Sequence, residues 1–158
     1  MAYFRVLWIL FIAGISFSFT QAEQPAQEVA ITVSSTPIPA FQTDNPSQVR
    51  FGALEFRGGL VLTSSPKSLG GISGLRVHPD GEHFLAVSDR AIWFRGRIVY
   101  EDNRPSGIAD AIAAPVLDGE GKPAPRWDTE SIAEDANTLY LGLARTNSIF
   151  RLDFAWKG

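Results

Sequence analysis

The sequence predicts an all-β protein of antiparallel hairpins, and three observations predict it. Short apolar runs, several alternating in period two, lie between turns rich in Gly, Pro, Asn and Asp. Beyond residue 22 no amphipathic stretch is long enough for a sizeable helix. Residues 70–154 hold one plan twice: a small-residue turn, a short apolar strand, a tight polar turn, a second apolar strand and a polar exit. A unit recurring at ~40–50 residues in this way marks a β-propeller blade. A closed propeller needs at least ~4 blades. The expected architecture is therefore about two blades of an incomplete β-propeller, with a β-sandwich as the competing arrangement.

The elements follow in chain order. Met1-Ala-Tyr-Phe-Arg5 carries one positive charge, residues 6–19 are almost wholly apolar, and Thr20-Gln21-Ala22 places small residues at a cleavage site. Residues 1–22 read as a secretory signal peptide, which implies a periplasmic or secreted location. A membrane anchor is the alternative, but the apolar run is shorter than the ~20 residues that span a bilayer. No stable membrane span is expected. Residues 23–48 scatter Pro25, Pro37, Pro39 and Pro46 among Gln, Ser, Thr and Ala, and read as a linker or extended lead-in. Residues 29–33 could pair as a strand, yet prolines soon follow.

The folded part, residues 49–158, opens on two β-rich runs, 49–56 and 60–63. Arg57-Gly58-Gly59 separates them as if in a hairpin. Residues 72–77 form the next strand. His78-Pro79-Asp80-Gly81 is a strong turn, because Pro presets φ and Asp-Gly tolerates positive φ. Residues 84–87 return beside it, and residues 92–100 follow with Gly96 as a bend or bulge. Residues 101–126 read as loop-rich. Within them 107–114 fit a strand or a short helix equally well, and Pro115 limits any helix. Asp118-Gly-Glu-Gly-Lys122 is a turn that lacks the other ligands of an EF-hand loop. Residues 138–143 and 148–154 both alternate and are joined by Arg145-Thr146-Asn147, so they form a hairpin. Leu85, Val87, Leu139, Leu141, Leu143, Phe150, Leu152 and Phe154 form the expected core faces.

Composition excludes several functions. A net charge of −3 argues against nucleic-acid binding, which calls for a basic stripe. Without Cys there is no disulfide, thiolate chemistry or Cys-ligated metal. No phosphate-cradling loop, dinucleotide fingerprint or zinc-spaced His pair is present.

Gly71-Ile-Ser-Gly-Leu75, Leu85-Ala-Val-Ser-Asp-Arg90, Gly96-Arg-Ile-Val-Tyr100, Trp127-Asp-Thr-Glu-Ser131 and Leu139-Tyr-Leu-Gly142 occur in order, followed by Arg145 and Phe150-Arg-Leu-Asp-Phe154. On these motifs the chain resembles the bacterial phytase-like β-propeller proteins, the "esterase-like activity of phytase" family. It departs from them at Ala91, where members often carry Gly, and in its length. The resemblance implies a phosphoester or ester hydrolase acting on a small molecule, and this chain looks like the N-terminal part of such a protein. It also implies a Ca²⁺ site of acidic residues that bridges to phosphate.

Candidate site residues sit at strand ends. Asp89, Asp128 and Glu130 would be brought together at one rim as hard-cation ligands, since Ca²⁺ and Mg²⁺ prefer oxygen donors. Asp89 and Glu130 could also act as bases, and Arg90 could hold a phosphate in a bidentate grip. The plainer reading is an Asp89–Arg90 turn ion pair and an Asx-type turn at Asp128. Ser73 superficially matches a nucleophile elbow, but residue 75 is Leu and no helix follows. It reads as a tight bend between closely packed blades. His78 and His83 read as exposed hairpin polarity. Trp93, Trp127 and Trp156 read as packing residues, with Trp8 in the signal. Two blades leave both outer edges uncovered, so self-association through open sheet edges is expected.

Overall fold

The computed structural model describes residues 28–65, 69–124 and 127–153. The fold is all-β, with twelve strands, antiparallel pairing and no helix or closed barrel among the described residues. That is the incomplete propeller expected from the repeat. The expected signal segment, Phe154 and Trp156 lie outside the described residues.

The first blade is a four-stranded meander. It comprises β6 (Ile72–Val77), β7 (His83–Ser88), β8 (Ile92–Glu101) and β9 (Arg104–Pro115), each paired with the next. A short strand, β1 (Val29–Ala30), pairs with β9 and extends this sheet to five. The second sheet is β10 (Thr129–Asp135), β11 (Thr138–Leu143) and β12 (Ser148–Asp153) in that order. Its two hairpins turn at positive φ, at Ala136 and at Asn147.

The long β9 differs from the expected loop-rich stretch. Glu101 pairs with Arg104 across Asp102-Asn103, and both turn residues have positive φ. A turn with two left-handed central residues matches strand twist and closes a tight hairpin. Residues 107–114 then resolve to strand because β8 pairs with them. Their Ala-rich composition has little β preference of its own, and tertiary pairing supplies the rest. Gly96 produces the expected register shift against β9. A Cβ there would lie 3.0 Å from the Phe84 ring.

The N-terminal segment corrects two expectations. Residues 29–38 are not a linker. Besides β1 they form β2 (Thr32–Ile38), which pairs along its length with β5 (Gly59–Ser65). Pro37 is tolerated because β2 is an edge strand of that two-stranded sheet, where a missing N–H costs no ladder bond. Nor do residues 49–56 pair with 60–63. Instead β3 (Arg50–Phe51) folds onto β4 (Leu54–Glu55) around Gly52 at positive φ.

Two apolar layers result. Val87, Ala91, Val116, Leu141 and Leu143 form a buried cluster between the two blades, with Trp93, Trp127, Ile132, Phe150 and Leu152 against it. On the other face of the first sheet Ala86, Phe94 and Ala113 are buried against Ile31, Leu69, Phe84 and Ile92. Leu85, Val87, Leu139, Leu141 and Leu143 are buried as the alternation requires. Phe150 and Leu152 are only half-buried, because β12 pairs on one side alone among the described residues. The blades meet where β6 and β10 approach. The position a Cβ would take at Gly74 is 2.7 Å from Ile132 Cγ2, so a larger residue there would wedge the sheets apart.

Candidate functional site

Asp89 and Arg90 leave the end of β7 beside the start of β6. Asp89 N donates to Gly71 O at 2.9 Å, and Arg90 Nη2 donates to Gly70 O at 3.3 Å. Arg90 Nε lies 3.8 Å from Asp89 Oδ1, and both side chains are about half exposed. Gly71 is fixed here for two reasons. Its φ is +64°, and a Cβ at this residue would collide with the Asp89 carboxylate. Behind them Ser88 is fully buried, and its Oγ accepts a hydrogen bond from Ile92 N at 3.3 Å.

The second blade repeats this arrangement. Asp128 also has positive φ, 54°, and its carbonyl accepts from Ala144 N at 3.0 Å. Gly71 therefore corresponds to Asp128 and Asp89 to Ala144. Each first strand carries a register shift in its opening turn of pleat. Ser73 is the extra residue between Ile72 and Gly74, and Glu130 the extra residue between Thr129 and Ser131. Glu130 is exposed, while Thr129 beside it is fully buried and its Oγ1 finds no hydrogen-bond partner among the described residues. Trp127 packs its ring 4.4 Å from that of Phe150.

The predicted residues thus fall into two pairs: Asp89 with Arg90, and Asp128 with Glu130. The pairs stand at corresponding ends of neighbouring blades. Among the described residues no three His, Asp or Glu side chains come together with metal-holding geometry. Asp89, Asp128 and Glu130 are therefore not a ready-made Ca²⁺ site, which takes six to eight oxygen ligands. The Arg90–Asp89 contact of the plainer reading is present. Ser73 donates its hydroxyl to Gly71 O at 3.1 Å, which suits a bend rather than a nucleophile.

Two features escaped the sequence. The first is at the tip of the β6–β7 hairpin. Asp80 Oδ1 accepts from Glu82 N at 2.8 Å and His83 N at 3.0 Å, while Oδ2 lies 2.6 Å from His83 Nδ1 and 2.9 Å from His78 Nδ1. These bonds hold the Asp80 carboxyl well below the usual carboxylate range, the His83 ring contributing most and the Glu82 N–H next. The histidines are hairpin polarity, as read, but one carboxylate gathers both. The signal was the spacing of Asp80 two residues from one His and three from the other.

The second is a cleft of about 410 Å³ between the blades, walled by Leu85, Val87, Trp93, Leu139, Leu141 and Leu152 among others. Arg95 at its wall pairs with Glu28 at 2.8 Å and sits 5.9 Å over the Trp93 ring, within cation–π range. None of Asp89, Arg90, Asp128 or Glu130 lines it.

A four-stranded meander followed by a three-stranded one on the same plan, with matching rim contacts, is consistent with an incomplete propeller. A family model described as "Phytase-like: Esterase-like activity of phytase" matches residues 67–157. The chain belongs to that phytase-like family. No curated protein and no solved structure matches the chain.

Proposed function

We propose that the chain is a periplasmic or secreted phytase-like domain, and that it acts on a small phosphoester or ester at the rim where β7 ends. The family match over residues 67–157 carries this reading, because the Asp89–Arg90 rim falls within it. Arg90 is tethered to Gly70 O by one guanidinium nitrogen and is about half exposed, and a planar guanidinium can take an oxyanion in two hydrogen bonds. Asp89 is the nearest base to a water attacking a group held there, and Glu130 is a second candidate from the neighbouring blade. Among the described residues no three carboxylates come together with metal-holding geometry, and no step is routed through Ca²⁺.

A non-catalytic binding module is the second reading. The placement of the cleft away from the candidate carboxylates favours it. Hydrolysis of a generic phosphomonoester and of a short-chain ester decides between the two, assayed for the chain and for Arg90→Gln and Asp89→Asn. Turnover lost in both variants supports the hydrolase. Turnover absent, or unchanged by either substitution, overturns it. Adding Ca²⁺ to the same assay tests whether the ion supports turnover.

A further inference from the structure

The tip of the β6–β7 hairpin lies at the opposite end of β7 from Asp89 and Arg90, on the order of 17 Å away along the strand. His83 opens β7, and its Nδ1 is 2.6 Å from Asp80 Oδ2. Asp80 is itself fixed by the backbone, because its Oδ1 accepts from Glu82 N and His83 N. An ionised carboxylate can only accept, and these bonds keep Asp80 ionised. The hydrogen of a neutral His83 ring therefore sits on Nδ1, and the Nε2 lone pair is left for chemistry. The turn is held against β8, where Tyr100 Oη donates to Gly81 O at 2.8 Å and Ile98 N to Glu82 O at 2.9 Å. Arg97 stands directly across the ladder from His83, with its Nε 3.4 Å from Asp110 Oδ2. The other charged or titratable groups around this face are already paired. His78 shares Asp80 Oδ2 at 2.9 Å, Arg76 meets Glu134, and Arg95 meets Glu28. The His83 side chain is 40% exposed.

We propose that His83 is a nucleophile, oriented by Asp80, that takes the acyl group of small aryl esters at this hairpin tip. Nε2 attacks the ester carbonyl carbon. The new C–N bond forms as the C–O bond to the aryl group breaks, and the phenolate leaves with the bonding pair. The acylated ring carries a positive charge, which Asp80 offsets through the Nδ1–H bond, much as a buried carboxylate steadies the imidazolium of a catalytic triad. Water then cleaves the acyl–nitrogen bond. Its oxygen departs in the carboxylate, both its protons pass to solvent, and the neutral ring is restored. Arg97 across the ladder is the cation nearest in register to the carbonyl oxygen as that oxygen gains negative charge. The exposure of the turn sets the substrate class. It offers no acid to protonate a leaving group, so only an ester whose phenolate departs unaided is turned over. This site is independent of the Asp89–Arg90 rim.

Hydrolysis of 4-nitrophenyl acetate by the chain tests it, with circular dichroism confirming that each variant keeps its strand content. Turnover should rise between about pH 5 and pH 8, where a histidine loses its proton. Mass spectrometry of the acid-quenched chain should find an acetyl group on His83. His83→Gln should lower kcat/KM at least about tenfold. Asp80→Asn keeps an oxygen for the Glu82 and His83 N–H groups but loses the acceptor for Nδ1–H. It should lower kcat about tenfold with little change in KM. Glu82→Gln, exposed on the same turn, should leave turnover unchanged. Turnover no faster than that of free imidazole at the same concentration overturns the proposal. So does turnover that is lost in Arg90→Gln and kept in His83→Gln, which would assign it to the rim, or an acetyl group found only elsewhere on the chain.

Discussion

Gly71 shows how much one residue decides at the rim. It needs a left-handed backbone, and it lends its carbonyl to the exit of β7. It must also lack a Cβ so that Asp89 can lie over it. Gly71→Ala should cost about 1–3 kcal/mol, the range for a strained backbone position with crowding, measured by urea unfolding. A cost near zero would mean that Asp89 simply swings aside. Asp80 gives a pH signature. Its folded pKa lies below the unfolded value of about 3.9, so its stabilisation is full above that value and is lost as pH falls through the folded one. Protection factors for amide exchange at residues 78–83, corrected for the intrinsic rate, should therefore fall as the solution is acidified below about pH 4. Asp80→Asn should remove that dependence, whereas an unchanged acid profile in the variant would place its origin elsewhere.

At the scale of elements, Leu141 is the clearest test. It is 1% exposed and packs in the cluster between the blades. Leu141→Ala should destabilise by about 2–5 kcal/mol, read from thermal or denaturant unfolding, and a negligible effect would mean that the second blade does not pack on the first. What the sequence revealed and what it hid follow from the same physics. Residues 138–143 alternate strictly and face a core on one side only, so their strand, register and buried set were all legible. The 104–115 strand was not, because Ala and Pro carry little strand preference and its turn residues, Asp102-Asn103, do not include Gly. The 32–38 strand was hidden by Pro37, which breaks central strands but not edges. Of the candidate site, adjacent pairs could be read from sequence. Whether Asp89 gathers with Asp128 and Glu130 could not, since it depends on how two sheets sit together.

For the whole molecule, the first blade has a second flank that nothing among the described residues covers completely. Gly74 and Arg76 face the neighbouring blade, through Ile132 and Glu134 respectively. Alternation then sends Leu75 and Val77 the other way, where both are exposed along with Ile72. The β2–β5 pair shields part of that face, with Ile31, Val33 and Leu62 lining a gap of about 140 Å³ against Phe84 and Phe94. Apolar stripes of this kind drive aggregation. Leu75→Lys should raise solubility and shift stability by no more than about 1 kcal/mol, as for a surface substitution. Static light scattering across a concentration series measures the first effect, and a variant that precipitates as readily as its parent would show that the stripe is not the sticky surface.

The unpaired residue in each first strand has a consequence for how such a rim changes over generations. Ser73 in one blade and Glu130 in the next occupy the same place, and neither has a cross-strand partner that fixes its identity. A hydroxyl in one repeat and a carboxylate in its neighbour leave both ladders intact. Chemical novelty can thus be tried one repeat at a time, at a position where failure costs the scaffold little. The residues on either side, Gly74 against Ile132 and the buried Thr129, have no such latitude.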